Sequence, residues 1–251
     1  MPNIAPRHAL TLRTSTLVTT LATVLAASAI AMLAGCGKRD AAVSVSNPVA
    51  GKIAVVPATP DTTRPASEAG LPRGYHAVFD DTTVSATGVT YAEKQPGRFE
   101  VTTGPAHILY SPADTARNRF TASATFEQLE APAHPEAFGV FIGGSNLKTA
   151  AARYTYFLVR GDGMFAVKVR DGAKTRTITD WTVQPSIPKQ DAAGRALFGV
   201  RIQVSGGTAN VSVNGVPITS ITAKNAPLNG IAGVRINHNL HLIVTPVSLI
   251  R

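Results

Sequence analysis

Apolar and polar residues alternate along most of the chain from residue 75 to the C-terminus, and this period of two predicts strands that bury one face. Turn residues interrupt the alternation at short intervals, and no segment shows a convincing 3.6-residue period of an amphipathic helix. We therefore expect an all-β fold. The predicted strands are residues 75–79, 98–102, 107–110, 119–129, 137–143, 154–160, 164–170, 175–181, 196–205, 209–213, 217–221, 230–237 and 240–250.

Three dipeptides between apolar runs predict two-residue hairpin turns: Asp162-Gly163, Gly206-Gly207 and Asn214-Gly215. Such pairs tolerate the positive φ angles that these turns require. A dozen or so short strands in one domain favour two stacked antiparallel sheets.

Several segments combine strand patterns with glycines in a recurring order. They are GRFEV from Gly97, HILYS from His107, NRFTASATFEQLE from Asn118, EAFGVFIGG from Glu136, YTYFLVRGDGMFAVKVRDG from Tyr154, the strand ending at Trp181, VNGV from Val213 and GIAGVRINHNLHLIV from Gly230. Together they resemble the concanavalin A-like jelly roll, and within it the laminin-G-like and 3-keto-disaccharide hydrolase type domains of secreted bacterial proteins. The resemblance implies a two-sheet antiparallel jelly-roll sandwich over residues 74–251.

The N-terminal segment has the pattern of a signal peptide. Arg7 and Arg13 precede residues 14–34, which carry no charge and are largely apolar. The stretch ends in Leu-Ala-Gly before Cys36, which resembles the lipobox of bacterial lipoproteins. This resemblance implies that residues 1–35 are removed and that Cys36 carries fatty acyl chains such as palmitate, which anchor the protein in a membrane. The alternative is an uncleaved signal anchor, because the uncharged stretch could span a bilayer core of about 30 Å.

The segment after the cysteine predicts an outer-membrane address and a tether. Gly37 stands where lipoproteins of enteric bacteria that stay in the inner membrane carry aspartate, so the outer membrane is favoured. Residues 36–73 are rich in proline, serine, threonine and alanine, as extended linkers are. Within them, only residues 52–56 have the pattern of a strand.

Composition removes several classes of protein. The apolar fraction of 44% and the charged fraction of 16% exclude a largely disordered chain. A single cysteine excludes an intramolecular disulfide and a four-thiolate metal site. The formal net charge is +9, and removal of residues 1–35 with Arg7 and Arg13 would leave 22 basic and 15 acidic residues, or +7; this charge would suit nucleic acid, but export across the membrane argues against that partner.

Aromatic and basic residues share the polar face of three predicted strands. Tyr154, Tyr156 and Arg160 alternate with core-facing residues on one strand, and Arg201 and Arg235 hold the same position on two others. We expect these five side chains to form a glycan-binding face, with tyrosine rings stacking on the sugar and arginines donating hydrogen bonds, an arrangement that also suits an anionic glycan. The alternative is an ordinary solvated sheet face.

The same alternation makes two structural predictions. Phe157 points to the core, so its loss should destabilise the fold, whereas replacing the two tyrosines should leave the fold nearly intact. Leu158 falls on the polar face and departs from the pattern, and Trp181 is expected in the core.

Catalytic carboxylates are not evident. Glu127 and Glu130, and likewise Asp80 and Asp81, have odd spacings that place each pair on opposite faces of a regular strand. We therefore assign no catalytic residue and leave open whether the protein is an enzyme.

Metal and cofactor sites are not predicted either. His238 and His241 also have an odd spacing, and no third ligand is evident near them. A calcium site of the laminin-G kind has no support in the sequence. The leading hypothesis is an envelope lipoprotein with a glycan-binding module. The alternatives are a glycoside-processing hydrolase of the 3-keto-disaccharide hydrolase type and a structural envelope lipoprotein without a small ligand.

Overall fold

The computed structural model describes residues 70–81 and 88–251. The predicted signal peptide, Cys36, the strand at 52–56 and most of the tether lie outside the described residues. Within the described residues, no helix has the length and hydropathy to cross a bilayer. Leu71, within the predicted tether, is packed into the domain core.

Two antiparallel sheets make up the described part of the chain. In spatial order, sheet A consists of β1 (His76–Phe79), β4 (His107–Ala116), β13 (Gly230–Ile236), β6 (Ala137–Ser145), β7 (Arg153–Arg160), β8 (Met164–Asp171) and β9 (Lys174–Val183). Sheet B consists of β12 (Val216–Thr222), β11 (Thr208–Val213), β10 (Ala196–Ser205), β5 (Phe120–Gln128), β14 (Leu240–Val244), β3 (Arg98–Thr103) and β2 (Thr90–Gln95), with β15 (Ser248–Ile250) also paired to β5. The predicted all-β, two-sheet sandwich of the jelly-roll type is confirmed.

The strand predictions differ from the structure at three places. The strand predicted to end at residue 110 is β4, which continues to Ala116. Strand β2 was not predicted because it is an exposed edge strand in which Tyr91 is the one side chain that is not exposed, so it has no alternation to detect. The predicted strand 240–250 is two strands, β14 and β15. Pro246 lies between them and cannot donate a ladder hydrogen bond.

Two of the three predicted hairpin turns are confirmed. Register pairs Ser205 with Thr208 and Val213 with Val216, so both turns have two residues, and all four turn residues have positive φ. The turn at Asp162-Gly163 is different. Strand β7 ends at Arg160 and β8 begins at Met164, which leaves a three-residue loop that closes on Gly163 at φ 84°.

The main core lies between the two sheets and is rich in phenylalanine. The ring of Phe138 in sheet A lies 5.2 Å from those of Phe126 and Phe198 in sheet B, measured between centroids. Phe157 is fully buried in this core and stacks on Phe165 at 5.6 Å. The prediction that Phe157 faces the core is confirmed.

Hydrogen bonds join the beginning and the end of the domain. The backbone N–H of Val247 donates to the Tyr75 hydroxyl at 2.8 Å, and that hydroxyl lies 3.3 Å from the carboxylate of Asp114. Tyr75 immediately precedes β1, the edge strand of sheet A. The edge of sheet A is thus tied to the C-terminal segment.

Candidate functional site

A second apolar cluster covers the outer face of sheet A, which points away from the main core. Tyr154 and Tyr156 belong to it and expose only 3% and 7% of their surfaces. We call this surface the aromatic face and define it by Tyr110, Phe141, Tyr154, Tyr156 and Trp181. The face assigned to the tyrosines is therefore correct, but the expectation that the fold would tolerate their loss is not. The burial of Leu158 in the same cluster explains its departure from the polar pattern.

Cross-strand pairing assembles the aromatic face. Phe141 on β6 stands opposite Tyr156 on β7 and Gly233 on β13. Its ring lies over Gly233, where an added Cβ would come within 2.5 Å of a ring carbon. Ring centroids are 5.1 Å apart for Phe141 and Tyr154, and 5.3 Å for Tyr154 and Tyr156. The glycine thus lets three rings pack as a continuous layer.

A partly buried ion pair lies beside this layer. The Arg235 guanidinium, 6% exposed, donates to both oxygens of Asp80 at 2.5 Å, to Asn237 Oδ1 at 3.1 Å and to the Tyr154 hydroxyl at 3.5 Å. Burial acts to raise the pKa of Asp80, but hydrogen bonds and charge from Arg235 bring it below its usual value. Burial raises the pKa of Tyr154 to about 12. Arg235 is thus held by protein partners, which leaves little of its hydrogen-bonding capacity for a ligand.

Cations also stack on the rim of the aromatic face. Trp181 is half-buried there, with the Arg160 guanidinium 4.5 Å and the Lys168 ammonium 5.6 Å from its ring centroid. Arg160 is in turn paired with Asp162. Trp181 was expected in the core, and the structure places it half-buried against the outer cluster of sheet A and not in the main core between the sheets.

A cavity of about 270 Å³ opens next to the aromatic face. Asp80, Tyr154 and Arg170 contribute to its lining, and Lys148 and Thr149 contribute from the loop at residues 146–152. Internal hydrogen bonds hold this loop: the Thr149 N–H and hydroxyl both donate to Asn146 O, at 2.9 and 3.0 Å. The cavity is therefore largely preformed, as small-ligand sites usually are.

Arg170 and Lys168 were not among the predicted site residues. The register of β7 and β8 places Arg170 opposite Tyr154 and Lys168 opposite Tyr156. Both lie at even positions of β8, so alternation could have placed them on one face. The three-residue loop sets the register that brings them beside the tyrosines. Asp80 was also overlooked as a site residue, although it continues the outward-facing series of even positions along β1.

Arg201 does not join the other predicted site residues. It lies on β10 opposite Ser123 and Ser212, exposed on the outer face of sheet B. The prediction of one shared face is wrong for this residue, because alternation separates core from outside and does not tell two sheets apart. Of the other four, Tyr154, Tyr156 and Arg235 contact one another, whereas Arg160 contacts Trp181 at the rim of the aromatic face.

Acidic and metal-binding side chains are sparse at the cavity. Asp80 is the one carboxylate among its described lining residues. Glu127 pairs with Arg98, and His241 lies 2.5 Å from Glu100 and 3.4 Å from Glu130, all in sheet B or at its end. The described residues include no group of three potential ligands suited to a metal ion.

Comparisons with known proteins identify the fold. No protein-family model and no curated protein matches the sequence. A carbohydrate-binding module, CBM66 from Bacillus subtilis, superposes with a TM-score of 0.51 at 8% identity, covering 71% of this chain and 96% of that chain. A protein of unknown function with a galectin-like fold, also from Bacillus subtilis, gives 0.51 at 11% identity, covering 70% and 88%. At these identities the similarity shows a shared jelly-roll fold.

Proposed function

We propose that the domain is a glycan-binding module whose ligand lies on the aromatic face and enters the cavity beside it. The observation that carries this proposal is the convergence of Tyr154, Arg170 and Lys148 on one preformed cavity. Ligand sites in proteins usually combine such an apolar wall with a few polar groups that fix orientation. The shared fold with a carbohydrate-binding module adds support.

The side chains at the site suit both the apolar ring face and the hydroxyl groups of a sugar. Trp181 offers part of an indole ring at the rim, which can contact the apolar face of a pyranose or furanose ring, and Tyr154 contributes the little surface that it exposes to the cavity wall. Arg170 and Lys148 can donate hydrogen bonds to sugar hydroxyls. The ligand would therefore contact the rim and the cavity, while Tyr156 supports the layer from below.

The protonation states of the side chains at the cavity favour binding over hydrolysis. Asp80 is ionised and tied to Arg235, and the raised pKa of Tyr154 keeps its phenol protonated at neutral pH. Glycosidases usually need two carboxyl groups that flank the bond, and Asp80 has no carboxylate partner among the described lining residues. A product assay on any glycan that binds would reveal hydrolysis.

Binding can be tested with a glycan array and the purified full-length chain. Trp181→Ala should weaken binding by roughly two- to tenfold, the range expected for one aromatic contact. The matched control is Leu197→Ala, which removes a half-buried apolar side chain from the outer face of sheet B. Absence of any bound glycan, or equal loss in both variants, would contradict the proposal.

We also propose that Cys36 is lipidated and anchors the protein in the outer membrane. The support is the sequence pattern around that thiol, the one cysteine of the chain. Cys36→Ser should abolish incorporation of radioactive fatty acid. Equal labelling of the wild-type chain and the variant would refute lipidation.

A further inference from the structure

Several positive charges at the cavity are not balanced by a carboxylate of the described residues. Arg235 is neutralised by Asp80, and Arg160 by Asp162. Lys148 and Arg170, both at the cavity, form no ion pair with a carboxylate of the described residues, and neither does Lys168 next to Arg170 on the same face of β8. The cavity and its rim thus carry uncompensated cations around one neutralised carboxylate.

The geometry of Arg170 suits an oxyanion. Its Nε donates to Gly172 O at 2.5 Å, which fixes the plane of the guanidinium. Its terminal nitrogens have no hydrogen-bond acceptor among the described residues. Two parallel N–H groups of an arginine match the two oxygens of a carboxylate or a sulfate, and such charge-assisted pairs are stronger than hydrogen bonds to neutral hydroxyls.

Lys148 provides a second positive charge from another part of the chain. It is exposed on the 146–152 loop, next to Thr149, and lines the cavity together with Arg170. Leu147, its neighbour, is buried in the aromatic cluster and anchors the base of the loop. The two cations therefore come from separate, fixed elements, an arrangement that can hold an anion placed in the cavity.

We infer that the ligand is an acidic glycan, whose sugar carries an oxyanion, carboxylate or sulfate, that docks in the cavity on Arg170 and Lys148. This inference rests on the proposed glycan-binding function and adds the charge of the ligand. Asp80 does not repel the anion, because Arg235 neutralises it within the wall of the cavity. Arg170 supplies the directional contact, and Lys148 and Lys168 supply attraction that salt will screen.

The test uses sugars that are matched except for charge. Calorimetric titration of the full-length chain compares oligogalacturonate with its methyl ester, and dextran sulfate with dextran. One acidic sugar should bind at least about tenfold more tightly than its neutral counterpart, because a charge-assisted hydrogen bond exceeds a neutral one by about this factor. Which of the two pairs shows the difference distinguishes carboxylate from sulfate.

Arg170→Gln should remove most of this preference, whereas Arg201→Gln, which removes the same charge from the outer face of sheet B, should retain it. Arg170→Lys keeps the charge without the planar fork and should fall between the two. Thermal unfolding of each variant establishes that it is folded, and a single-stranded oligonucleotide serves as a polyanion without sugar acids.

Four outcomes are distinguishable. The acidic preference, lost in Arg170→Gln alone, supports the inference. Equal binding of acid and ester, with loss in Trp181→Ala, overturns the acidic ligand and leaves the glycan-binding proposal standing. Binding of the oligonucleotide as tightly as the acids, reduced equally in Arg170→Gln and Arg201→Gln, also overturns it as nonspecific attraction. Binding of no saccharide overturns both proposals.

Discussion

The outer faces of the two sheets have opposite characters. On sheet B, the outward side chains of β5 include the short polar Ser123 and Thr125, and the next one, Glu127, pairs with Arg98. On sheet A, the outward side chains of β7 are buried aromatic and aliphatic groups. Antiparallel sheets commonly present one face to water, as sheet B does. The outer face of sheet A therefore combines buried apolar side chains with charges, an arrangement that solubility alone does not require.

The largest expected effect is on the free energy of unfolding, which a substitution on the outer face of sheet A should change much more than one on sheet B. Tyr154→Ala should lower the free energy of unfolding by roughly 3–5 kcal/mol, as other buried aromatic truncations do. Thr125→Ala on sheet B should change it by less than about 0.5 kcal/mol. Urea denaturation measures both. A similar small change in both variants would mean that the outer face of sheet A is an ordinary solvated surface.

Low pH should destabilise the domain through a histidine on a strand of sheet A. His107 on β4 is fully buried, and burial lowers its pKa to about 4, although a hydrogen bond to Pro105 O opposes this. The unfolded chain, with a histidine pKa near 6.5, binds the proton first, so stability is lost as pH falls from about 6.5 to about 4, by about 3 kcal/mol.

His107→Gln should flatten that part of the stability profile, as followed by urea denaturation at each pH. An NMR titration of the His107 ring in the wild-type chain is the second measurement. A midpoint near 6.5, or an unchanged slope in the variant, would contradict the assignment.

The ion pair on sheet A should contribute more to the stability of the fold than the ion pair on sheet B. Asp80→Asn leaves the Arg235 guanidinium buried without its counter-charge and should cost roughly 2–3 kcal/mol, below the 3–5 kcal/mol of fully buried pairs, because the Asp80 side chain is 33% exposed. Glu127→Gln, which breaks the pair with Arg98 on sheet B, should cost about 1 kcal/mol or less. Thermal denaturation of both variants at low and high salt would show whether the ranking holds.

The smallest effect is expected at Arg201. Its side chain is exposed on sheet B, so Arg201→Gln should change stability by less than about 0.5 kcal/mol and should leave glycan binding unaltered. A loss of binding would bring the outer face of sheet B into the ligand site and remove the distinction drawn between the faces.

Alternation in the sequence predicted most strands, the sandwich and the inward side of Phe157, because each depends on which side chains avoid water. It could not assign strands to sheets, since Arg201 and Tyr154 have the same pattern and lie on different sheets. It also could not reveal that the outer face of sheet A is buried, because that burial depends on side chains from β4, β6 and the 146–152 loop meeting over β7.

The site itself was predicted in part. Tyr154, Tyr156 and Arg235 contact one another, Arg160 lies farther along β7 against Trp181, and the cavity depends on register and on residues that lie far apart in the chain. Arg170 reaches Tyr154 through a hairpin whose loop length the dipeptide Asp162-Gly163 does not specify. Long-range pairs such as Asp80 with Arg235 leave no periodic trace in the sequence.

The position of β1 has a mechanical consequence. It is the edge strand of sheet A and the first strand of the described residues, so tension applied N-terminal to it acts on this edge. Asp80 follows β1 directly and forms part of the cavity wall, so peeling this strand away would pull apart the pair with Arg235 and open the cavity. The hydrogen bond from Val247 N–H to the Tyr75 hydroxyl is one of the contacts that such a force must break. We expect a pulling force to release a bound ligand before the rest of the sandwich unfolds. Tyr75→Phe should lower the force at which the ligand is released.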